Sequence, residues 1–165
     1  MIFVTVGTHE QPFNRLIKKV DDLVANGNIK EKVVVQTGFS TYIPKHCEAH
    51  KMMSFEEMQQ ALKDARIVIT HGGPSSFIEA LQFGKVPIVV PRQEKFNEHV
   101  NNHQVDFTKL IAKRMNNIIP VYDVDDLKKT IEDYDHISKG KNTGKSSNNK
   151  QFNEKLKKIV DGLVK

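Results

Sequence analysis

The stretch that decides the fold is RIVITHGGPSSFIE, residues 66–79. It begins with a nearly continuous run of β-branched apolar residues, turns through His-Gly-Gly, and continues with Pro-Ser-Ser ahead of a helical pattern. Apolar runs of this kind suit strands that are buried on both faces, as in a parallel sheet. The stretch therefore predicts a buried strand, a tight turn and a helix in direct succession.

Similar alternation continues on both sides of this stretch. Strands are predicted at residues 2–6, 33–37, 66–70 and 86–90, with a weaker one at 118–121. Helices are predicted at residues 12–25, 54–64, 75–83, about 97–113, and 124–134, and the second opens with a capping box of Ser54 and Glu57. Strands that alternate with helices over this length are typical of a doubly wound α/β layer.

The charge of the chain is unevenly distributed. The chain has 165 residues, a hydrophobic fraction of 38% and a net charge of +5, which suits one compact domain. Residues 139–165 carry eight lysines against Glu154 and Asp161, whereas residues 1–138 are close to neutral. The basic character therefore belongs to the tail, and nucleic-acid binding by the body is disfavoured.

The tail divides into two predicted segments. Residues 139–151, KGKNTGKSSNNKQ, contain no large aliphatic residue and predict a flexible basic linker. Residues 152–165 carry apolar side chains at helical spacing and predict an amphipathic helix. The predicted organisation is thus a sheet domain over 1–138, a linker and a terminal helix.

Cysteine usage and hydropathy indicate the compartment. Cys47 is the only cysteine, so neither an internal disulfide nor a four-cysteine zinc framework can form, and a reducing cytoplasm is expected. The N-terminal sequence lacks a basic region and its apolar run stops at Val6, which argues against a signal peptide. No apolar run approaches the roughly 20 residues of a membrane span, so we expect any membrane association to be peripheral or through a partner.

The turn after the third predicted strand has the chemistry of an anion site. Gly72 and Gly73 allow the backbone to approach a ligand, and the following helix start offers free N–H donors. Ser75 and Ser76 can add hydroxyl donors to a phosphate, and Glu79 lies one turn on, where a carboxylate can accept from two ribose hydroxyls. These residues fit nucleotide binding, or a tight turn with serine capping and a solvated glutamate.

A second polar group follows the strand at 86–90. Glu98 and Asn102 are four residues apart, as are His99 and His103, so each pair is predicted to share a helix face. The carboxylate and amides can read sugar hydroxyls. The histidine pair could instead ligate zinc, although no third ligand has suitable spacing, and a solvated polar face is the remaining alternative. Arg92 and Gln104 belong to the same region.

The first predicted strand leads into Gly7-Thr8-His9-Glu10, again at the carboxyl edge of the sheet. A histidine there is the best single candidate for a general base, and an ordinary strand-to-helix turn is the alternative. Two other motifs are discounted. Residues 46–50, HCEAH, lack the order of a zinc peptidase motif and are interpreted as surface loop, and residues 140–146, GKNTGKS, have one residue too few between the glycines for a P-loop.

Three blocks together resemble the catalytic, donor-binding half of GT-B glycosyltransferases of family 28. They are MIFVTVGTHEQPFNRLI at 1–17, HGGPSSFIEALQFGKVPIVVPR at 71–92 and EHVNNHQ at 98–104. Within that family the chain looks like the small bacterial subunits of exopolysaccharide and capsule synthesis. These in turn are similar to the catalytic subunit of the two-part eukaryotic enzyme that adds the second GlcNAc to dolichol.

The resemblance implies a Rossmann-like, single GT-B half-domain that transfers a sugar from a UDP-sugar to a lipid-diphosphate-linked acceptor, with inversion and without a cofactor or essential metal. It assigns His71, Gly72, Gly73, Ser75 and Ser76 to the donor diphosphate and Glu79 to the ribose. It places Gly7 and Thr8 in the cleft, with His9 and Glu10 as catalytic residues. The donor-sugar contacts that it implies are Arg92, Glu98, His99, Asn102, His103 and Gln104.

The resemblance also implies a partner. A full GT-B enzyme has two Rossmann-like domains, and in split enzymes the acceptor half is a separate membrane-anchored subunit. We therefore expect a cytoplasmic protein held at the inner face of the cell membrane through that subunit, with the terminal helix packed on its own domain, the partner or the membrane interface. The alternative is a non-catalytic nucleotide-sugar accessory or sensor protein; a UDP-sugar epimerase is disfavoured because such enzymes carry two domains in one chain.

Overall fold

The computed structural model describes residues 1–142 and residue 158, and its central element is one six-stranded sheet in which all paired strands are parallel. The strands are β1 (Ile2–Thr5), β2 (Val33–Gln36), β3 (Glu48–His50), β4 (Ile67–His71), β5 (Ile88–Val90) and β6 (Ile119–Pro120). Their order across the sheet is β3-β2-β1-β4-β5-β6. The order reverses between β1 and β4, and open α/β sheets bind ligands outside the carboxyl ends of the strands at such a switch point.

Helices cover both faces of the sheet. They are α1 (Asn14–Ala25), α2 (Phe55–Asp64), α3 (Pro74–Gln82), α4 (His103–Met115), α5 (Leu127–Glu132) and α6 (Tyr134–Lys139), with 3-10 turns at Glu94–Phe96 and Val124–Asp126. Alternate residues of β1 take part in different cores: Ile2 and Val4 pack with α1, α5 and α6, whereas Phe3 packs with α2 and α3. A third cluster joins α3 and α4. The predicted doubly wound architecture is confirmed.

The predicted strands at 2–6, 33–37, 66–70, 86–90 and 118–121 are all present, with ends shifted by one or two residues. The capping box is confirmed as well. The Ser54 hydroxyl accepts from the Glu57 N–H at 3.1 Å, and the Glu57 carboxylate accepts from the Ser54 N–H at 3.2 Å. Local patterns therefore located five of the six strands and the start of α2 correctly.

The prediction of a helix from about residue 97 is wrong, because α4 begins only at His103. Asn97 adopts a left-handed conformation with φ of +58°, which ends the preceding 3-10 turn, and the Glu98 N–H turns back to the Gln93 carbonyl at 3.2 Å. Glu98 and His99 therefore lie in a loop before the helix. The predicted i,i+4 pairs of Glu98 with Asn102 and His99 with His103 share no helix face.

Residues 46–50 lie at the surface as predicted, but Glu48–His50 forms the edge strand β3 beside β2 instead of a loop. Asp21, on α1, fastens the loop that leads into it. The buried Asp21 carboxylate accepts from the Tyr42 hydroxyl at 2.7 Å and from the His46 N–H at 2.8 Å. An exposed edge strand needs no apolar alternation, so the sequence pattern did not reveal it.

The C-terminal part of the body differs in detail from the prediction. The predicted helix at 124–134 is divided into a 3-10 turn, α5 and α6, and α6 ends at Lys139, one residue inside the predicted linker. The Gly140 carbonyl then accepts from the Asn116 side chain at 3.1 Å. Residues 143–151 of the predicted linker, the end of the P-loop-like motif, and the predicted helix at 152–165, except residue 158, lie outside the described residues. Within the described part of the chain, no helix has the length and apolar character to cross a membrane.

Candidate functional site

A cavity of about 510 Å³ lies at the switch point of the sheet. It gathers side chains and backbone from the loop after β1, the end of β4 and the first turns of α3. Eight of the residues singled out from the sequence line it: Gly7, Thr8, His9, His71, Ser75, Ser76, Glu79 and Gln104. Residues up to 97 positions apart in the chain therefore meet in one cleft, as expected for the carboxyl edge of a parallel sheet.

The His71 side chain packs directly against the glycine turn. β4 ends at His71 and α3 begins at Pro74, so Gly72 and Gly73 alone make the connection. A Cβ on Gly73 would lie 2.8 Å from His71 Nε2, and one on Gly7, whose φ is +75°, would lie 2.8 Å from His71 Cε1. Only glycine fits at these two positions. Gly73 supplies no capping side chain to α3, so the positive end of that helix is left for a ligand.

The hydrogen bonds of His71 define its protonation. The Gly73 N–H donates to Nδ1 at 3.1 Å, so the ring proton sits on Nε2, which donates to the Ser76 hydroxyl oxygen at 3.0 Å. Burial, reinforced by the charge of Arg92, lowers the pKa of His71 to about 3, so the ring is neutral at pH 7. Since the Ser76 oxygen accepts from His71, its own hydrogen is available to an acceptor in the cavity.

Gln104 secures the same turn from α4. Its side-chain oxygen accepts from the Gly72 N–H and from the Arg92 N–H, both at 3.1 Å. Because two N–H groups donate to the same atom of the Gln104 amide, that atom is the oxygen and the other is the nitrogen. The side-chain nitrogen of Gln104 then donates to no other described residue, although the residue lines the cavity. Gln104 therefore combines a structural contact with an unused pair of donor hydrogens.

Glu79 lies one helical turn after Ser76 and lines the same cavity. Its half-buried carboxylate makes no hydrogen bond or ion pair with any other residue that the structure describes. Burial raises the pKa of this carboxyl group. Glu79 is thus an acceptor prepared for hydroxyl groups that come from outside the chain.

His9 lines the cavity from the loop after β1. Its Nε2 lies 2.9 Å from the side-chain oxygen of Gln11, and the Gln11 amide nitrogen donates to the Asn97 carbonyl at 3.3 Å. The amide is thereby oriented, so His9 Nε2 is the donor and Nδ1 keeps its lone pair. The His9 ring stacks on His99, with centroids 4.6 Å apart and planes 10° from parallel. Glu10 is exposed and does not line the cavity.

Two of the six predicted donor-sugar contacts lie inside the protein. Arg92 is fully buried and donates to three backbone carbonyls, and Glu98 is 2% exposed with its two oxygens 3.0 Å from Arg15 nitrogens. The Glu98 carboxylate and both terminal nitrogens of Arg92 are bound by the protein itself, whereas the buried Arg92 Nε has no hydrogen-bond partner among the described residues. A sugar-contact role for Arg92 and Glu98 is therefore replaced by a structural one, because the late start of α4 turns Glu98 inward.

The other four predicted donor-sugar contacts are placed differently from one another. Gln104 lines the cavity and His99 stacks on His9 beside it. Asn102 and His103 are exposed and lie outside the lining, and the Asn102 side-chain oxygen accepts from the Glu94 N–H at 3.0 Å. In residues 1–142 and 158, no three His, Cys, Asp or Glu side chains are grouped to hold a metal ion.

The sequence patterns missed part of the cavity wall. Met53, Phe55 and Met58 contribute an apolar side, and Thr5 and Gln36, joined by a 2.7 Å hydrogen bond, close the sheet edge. Phe55 is 72% exposed although it opens α2 directly after the Ser54 cap. A large aromatic residue at the first position of a helix, outside its buried stripe, is the one signal that could have pointed to this wall.

The fold is shared with solved glycosyltransferases. The glycosyltransferase of kitacinnamycin and CalG4, the calicheamicin glycosyltransferase, match with TM-scores of 0.60 and 0.57, both at 14% identity over 98% of this chain and 38% of theirs. MurG of Acinetobacter baumannii matches with a TM-score of 0.55 at 14% identity, over 81% of this chain and 41% of its own. The architecture is therefore that of one half of a GT-B glycosyltransferase.

Sequence relationship narrows this class to one family. The model of the glycosyltransferase family 28 C-terminal domain matches residues 1–162, and the chain belongs to that family. It is 33% identical over 123 residues to the mouse UDP-N-acetylglucosamine transferase subunit ALG13, and 31% identical over 129 residues to the human one. These matches cover 67% and 68% of the chain and 10% of each relative, so the chain spans about a tenth of the curated relatives' length. The resemblance to family 28 is confirmed.

Proposed function

We propose that the protein is the donor-binding, catalytic subunit of an inverting glycosyltransferase, which moves a sugar from a UDP-sugar to a lipid-diphosphate-linked acceptor. The observation that carries the proposal is the pairing of Ser76 and Glu79 on one side of α3. One presents a hydroxyl hydrogen and the other an unpaired carboxylate, one turn apart, in the cavity at the switch point. A diphosphate and a ribose need that pair of functions at about that separation.

The diphosphate binds at the start of α3 in this proposal. The free N–H groups of the first turn, the hydroxyls of Ser75 and Ser76, and the glycine turn of His71, Gly72 and Gly73 supply donors without a divalent ion. As the bond to the sugar breaks, negative charge grows on the departing UDP. The positive helix end and these donors then stabilise that charge, which is why we propose a reaction without an essential metal or other cofactor.

The nucleoside occupies the other side of the same cavity. Glu79 accepts from the ribose hydroxyls, and its lack of any described protein partner supports this role. Met53, Phe55 and Met58 supply an apolar wall on which a flat base can pack. Polar atoms for the sugar of the donor come from the unused donor hydrogens of Gln104 and from His99, with Asn102 and His103 farther out.

Transfer requires a base near the cavity, and His9 fits this role. The acceptor hydroxyl oxygen forms a bond to the anomeric carbon, its proton passes to His9 Nδ1, and the bond between that carbon and the UDP oxygen breaks with its electron pair leaving on UDP. The Gln11 side-chain oxygen lies 2.9 Å from His9 Nε2 and keeps the proton on that nitrogen. Glu10, the next residue in the chain, is exposed.

The acceptor comes from a membrane-anchored partner subunit in this proposal. Among the described residues, the exposed large apolar side chains lie in segments that follow β2, β3 and β5, or at the start of α2: Phe39, Ile43, Met52, Phe55, Phe96 and Val100. Exposed apolar side chains of this kind suit a protein interface. The chain covers about two fifths of the solved glycosyltransferases that share its fold.

The biological setting follows from these proposals. A lipid-diphosphate acceptor is held at a membrane, and UDP-sugars are made in the cytoplasm, so the subunit would act at the inner face of the cell membrane through its partner. We propose bacterial exopolysaccharide or capsule synthesis as the process in which it acts.

Calorimetry with UDP tests the proposal most directly. We expect UDP to bind the unaltered protein, Glu79→Gln to weaken it, and Glu132→Gln, an exposed glutamate on α5 outside the cavity, to leave it unchanged. Absence of binding by any uridine nucleotide at millimolar concentration, with and without a partner subunit, would contradict the proposal. Binding without transfer in the presence of the cognate partner would instead identify an accessory or sensor protein.

A further inference from the structure

The most unusual charged group of the described chain is the guanidinium of Arg92. Arg92 follows β5 by two residues and is fully buried. It donates to the carbonyls of Val6 and Gln11, both at 2.6 Å, and to the carbonyl of Glu98 at 3.0 Å. Burying a charged side chain is costly unless it is hydrogen-bonded, so this arrangement persists only because several contacts compensate it.

The three carbonyls belong to the loops that carry the two stacked imidazoles. Val6 and Gln11 bracket the loop that presents His9, and Glu98 immediately precedes His99. The guanidinium therefore clamps the two loops at the point where the His9 and His99 rings stack 4.6 Å apart. No hydrogen bond joins these two rings in the described chain, so their relative position depends on the loops that hold them.

The backbone of the same residue reaches the glycine turn. The Arg92 N–H and the Gly72 N–H share the Gln104 side-chain oxygen, each at 3.1 Å. The Arg92 side chain thus binds the loop that carries the proposed base, and its backbone N–H is linked through Gln104 to the proposed diphosphate site. These are the two places whose separation must match the length of a bound donor.

The Glu98 carboxylate binds Arg15. Both Glu98 oxygens lie 3.0 Å from Arg15 nitrogens, and one also accepts from the Gln93 N–H at 3.1 Å. Arg15 in turn packs over the rings of Phe96 and Phe13, at 4.6 and 5.4 Å. Glu98 still favours the charged form of Arg92, whose pKa burial lowers to about 10, so Arg92 is a cation at pH 7.

This cation acts on the imidazoles around it. Burial lowers the pKa of His99, and the charges of His9, Arg92 and His103 add to that effect. His71 is shifted in the same direction, with contributions from Arg92, His9 and His99. A neutral imidazole has one N–H that can donate a hydrogen bond and one nitrogen that can accept a proton.

We propose that Arg92 is a positioning residue for sugar transfer, which clamps the His9 loop to the His99 loop and to the glycine turn so that the proton acceptor is held at the correct distance from the bound donor. The role rests on the proposed function, since it presupposes that His9 takes a proton from the acceptor. Its structural part, the clamp, can be measured without any substrate.

The first measurement uses the unaltered full-length chain. The guanidinium protons of Arg92 should give separate, slowly exchanging NMR signals, unlike those of Arg114, which lies on an exposed position of α4. Exchange of the Arg92 protons as fast as those of Arg114 would overturn the clamp. This test does not depend on the folding of a variant, and it holds whether or not UDP binds.

The second measurement compares Arg92→Lys and Arg92→Met with the control Arg114→Met. Arg92→Lys keeps the charge but cannot reach three carbonyls, so the NMR signals of His9 and His99 should lose their mutual ring-current shifts. Arg92→Met also removes the charge, so His71 and His99 should titrate at higher pH than in the unaltered protein. Folded variants with unchanged imidazole shifts and titrations would overturn the proposal.

Transfer kinetics with the partner subunit separate positioning from general loss of structure. We expect Arg92→Lys to lower kcat about 100-fold, because a displacement of about 1 Å costs that much, while the KM for the donor changes only about threefold. Equal loss of UDP binding and of kcat, in proportion to the unfolded fraction, would make Arg92 merely structural. Failure of the unaltered protein to bind UDP would reject the proposed function and leave the clamp to be judged by the NMR results.

Discussion

The Nε2 of His71 lies 3.0 Å from the Ser76 hydroxyl oxygen, while the Gly73 N–H donates to Nδ1 of the same ring at 3.1 Å. Both nitrogens of a buried imidazole are thereby used, one as acceptor and one as donor. The arrangement requires a neutral ring, and it turns the Ser76 hydrogen towards any acceptor that enters the cavity. Strand, glycine turn and helix are thus joined by one side chain.

His71 should make the stability of the protein sensitive to acid. Its pKa is about 3 in the folded chain and about 6.5 when unfolded, so between these values the unfolded state binds the extra proton. The contribution of neutral His71 to the free energy of unfolding is fully present above about pH 6.5, and it falls by about 1.4 kcal/mol per pH unit below that pH. We expect the unaltered protein to lose about 2 kcal/mol more than His71→Asn between pH 7 and pH 5. Urea unfolding at both pH values measures this, and equal losses in the two proteins would show that His71 is not held neutral.

Ser76→Ala should weaken the binding of UDP about tenfold, because it removes a hydroxyl donor to phosphate and leaves the Nε2 proton of His71 unpaired. Ser76→Thr keeps the hydroxyl and should restore most of the affinity. Uridine, which has no phosphate, should bind Ser76→Ala and the unaltered protein equally. Calorimetry with both ligands checks this, and a parallel loss for uridine would place Ser76 elsewhere in the site.

Glu79→Ala or Glu79→Gln should weaken UDP binding about tenfold through the ribose hydroxyls, since hydrogen bonds to a charged group contribute about 1.5–3 kcal/mol. The loss should be smaller for 2′-deoxy-UDP. Burial raises the pKa of Glu79 in the free protein, so the affinity of the unaltered protein for UDP should fall as pH decreases through that raised value. Glu79→Gln should lack this decrease, and the same pH dependence in both proteins would assign it to another group.

His9→Ala should leave UDP binding within about twofold and lower transfer by about 10²–10⁴-fold, the usual contribution of a general base. His136→Ala, on the exposed side of α6, is the matched control and should retain full transfer. The comparison requires the partner subunit and a UDP-sugar donor. If both His9→Ala and Glu79→Ala transferred sugar like the parent protein, the site would lie elsewhere.

Asp21→Ala should destabilise the protein by about 3 kcal/mol, because the Tyr42 hydroxyl and the Lys45 and His46 N–H groups would lose a buried charged acceptor. Burial opposes the charge of Asp21, but these hydrogen bonds hold its pKa below the usual value. Its contribution is therefore present above about pH 4 and is lost as pH falls through the lowered folded pKa. Asp22→Ala, next along α1 with only a surface ion pair to Lys18, should cost less than about 0.5 kcal/mol. Similar urea midpoints for the two variants would contradict the anchoring role of Asp21.

Much of the candidate site followed from short stretches of sequence. One contiguous segment contains the turn at Gly72 and Gly73, the helix start at Ser75 and Ser76, and Glu79 one turn later. Its chemistry can therefore be predicted without knowing its tertiary contacts. The strands could also be located, because a continuous Val/Ile run reports burial on both faces regardless of partners. Parallel strands bring their carboxyl ends to one edge, so the sequence also predicts that His9 lies near the turn.

The interior of the site depended on contacts between residues far apart in sequence. Arg92 and Glu98 look like surface polar residues, yet Arg15, 83 positions from Glu98, binds that carboxylate inside the protein. The stack of His9 on His99 and the edge strand β3, fastened through Asp21, depend in the same way on long-range hydrogen bonds. Local periodicity and backbone freedom encode five of the six strands, the glycine turn and the start of α3, so these features could be predicted from the sequence alone. Which charges are buried and which imidazoles meet depends on desolvation and on partners that the fold brings together, so the sequence patterns could not predict them.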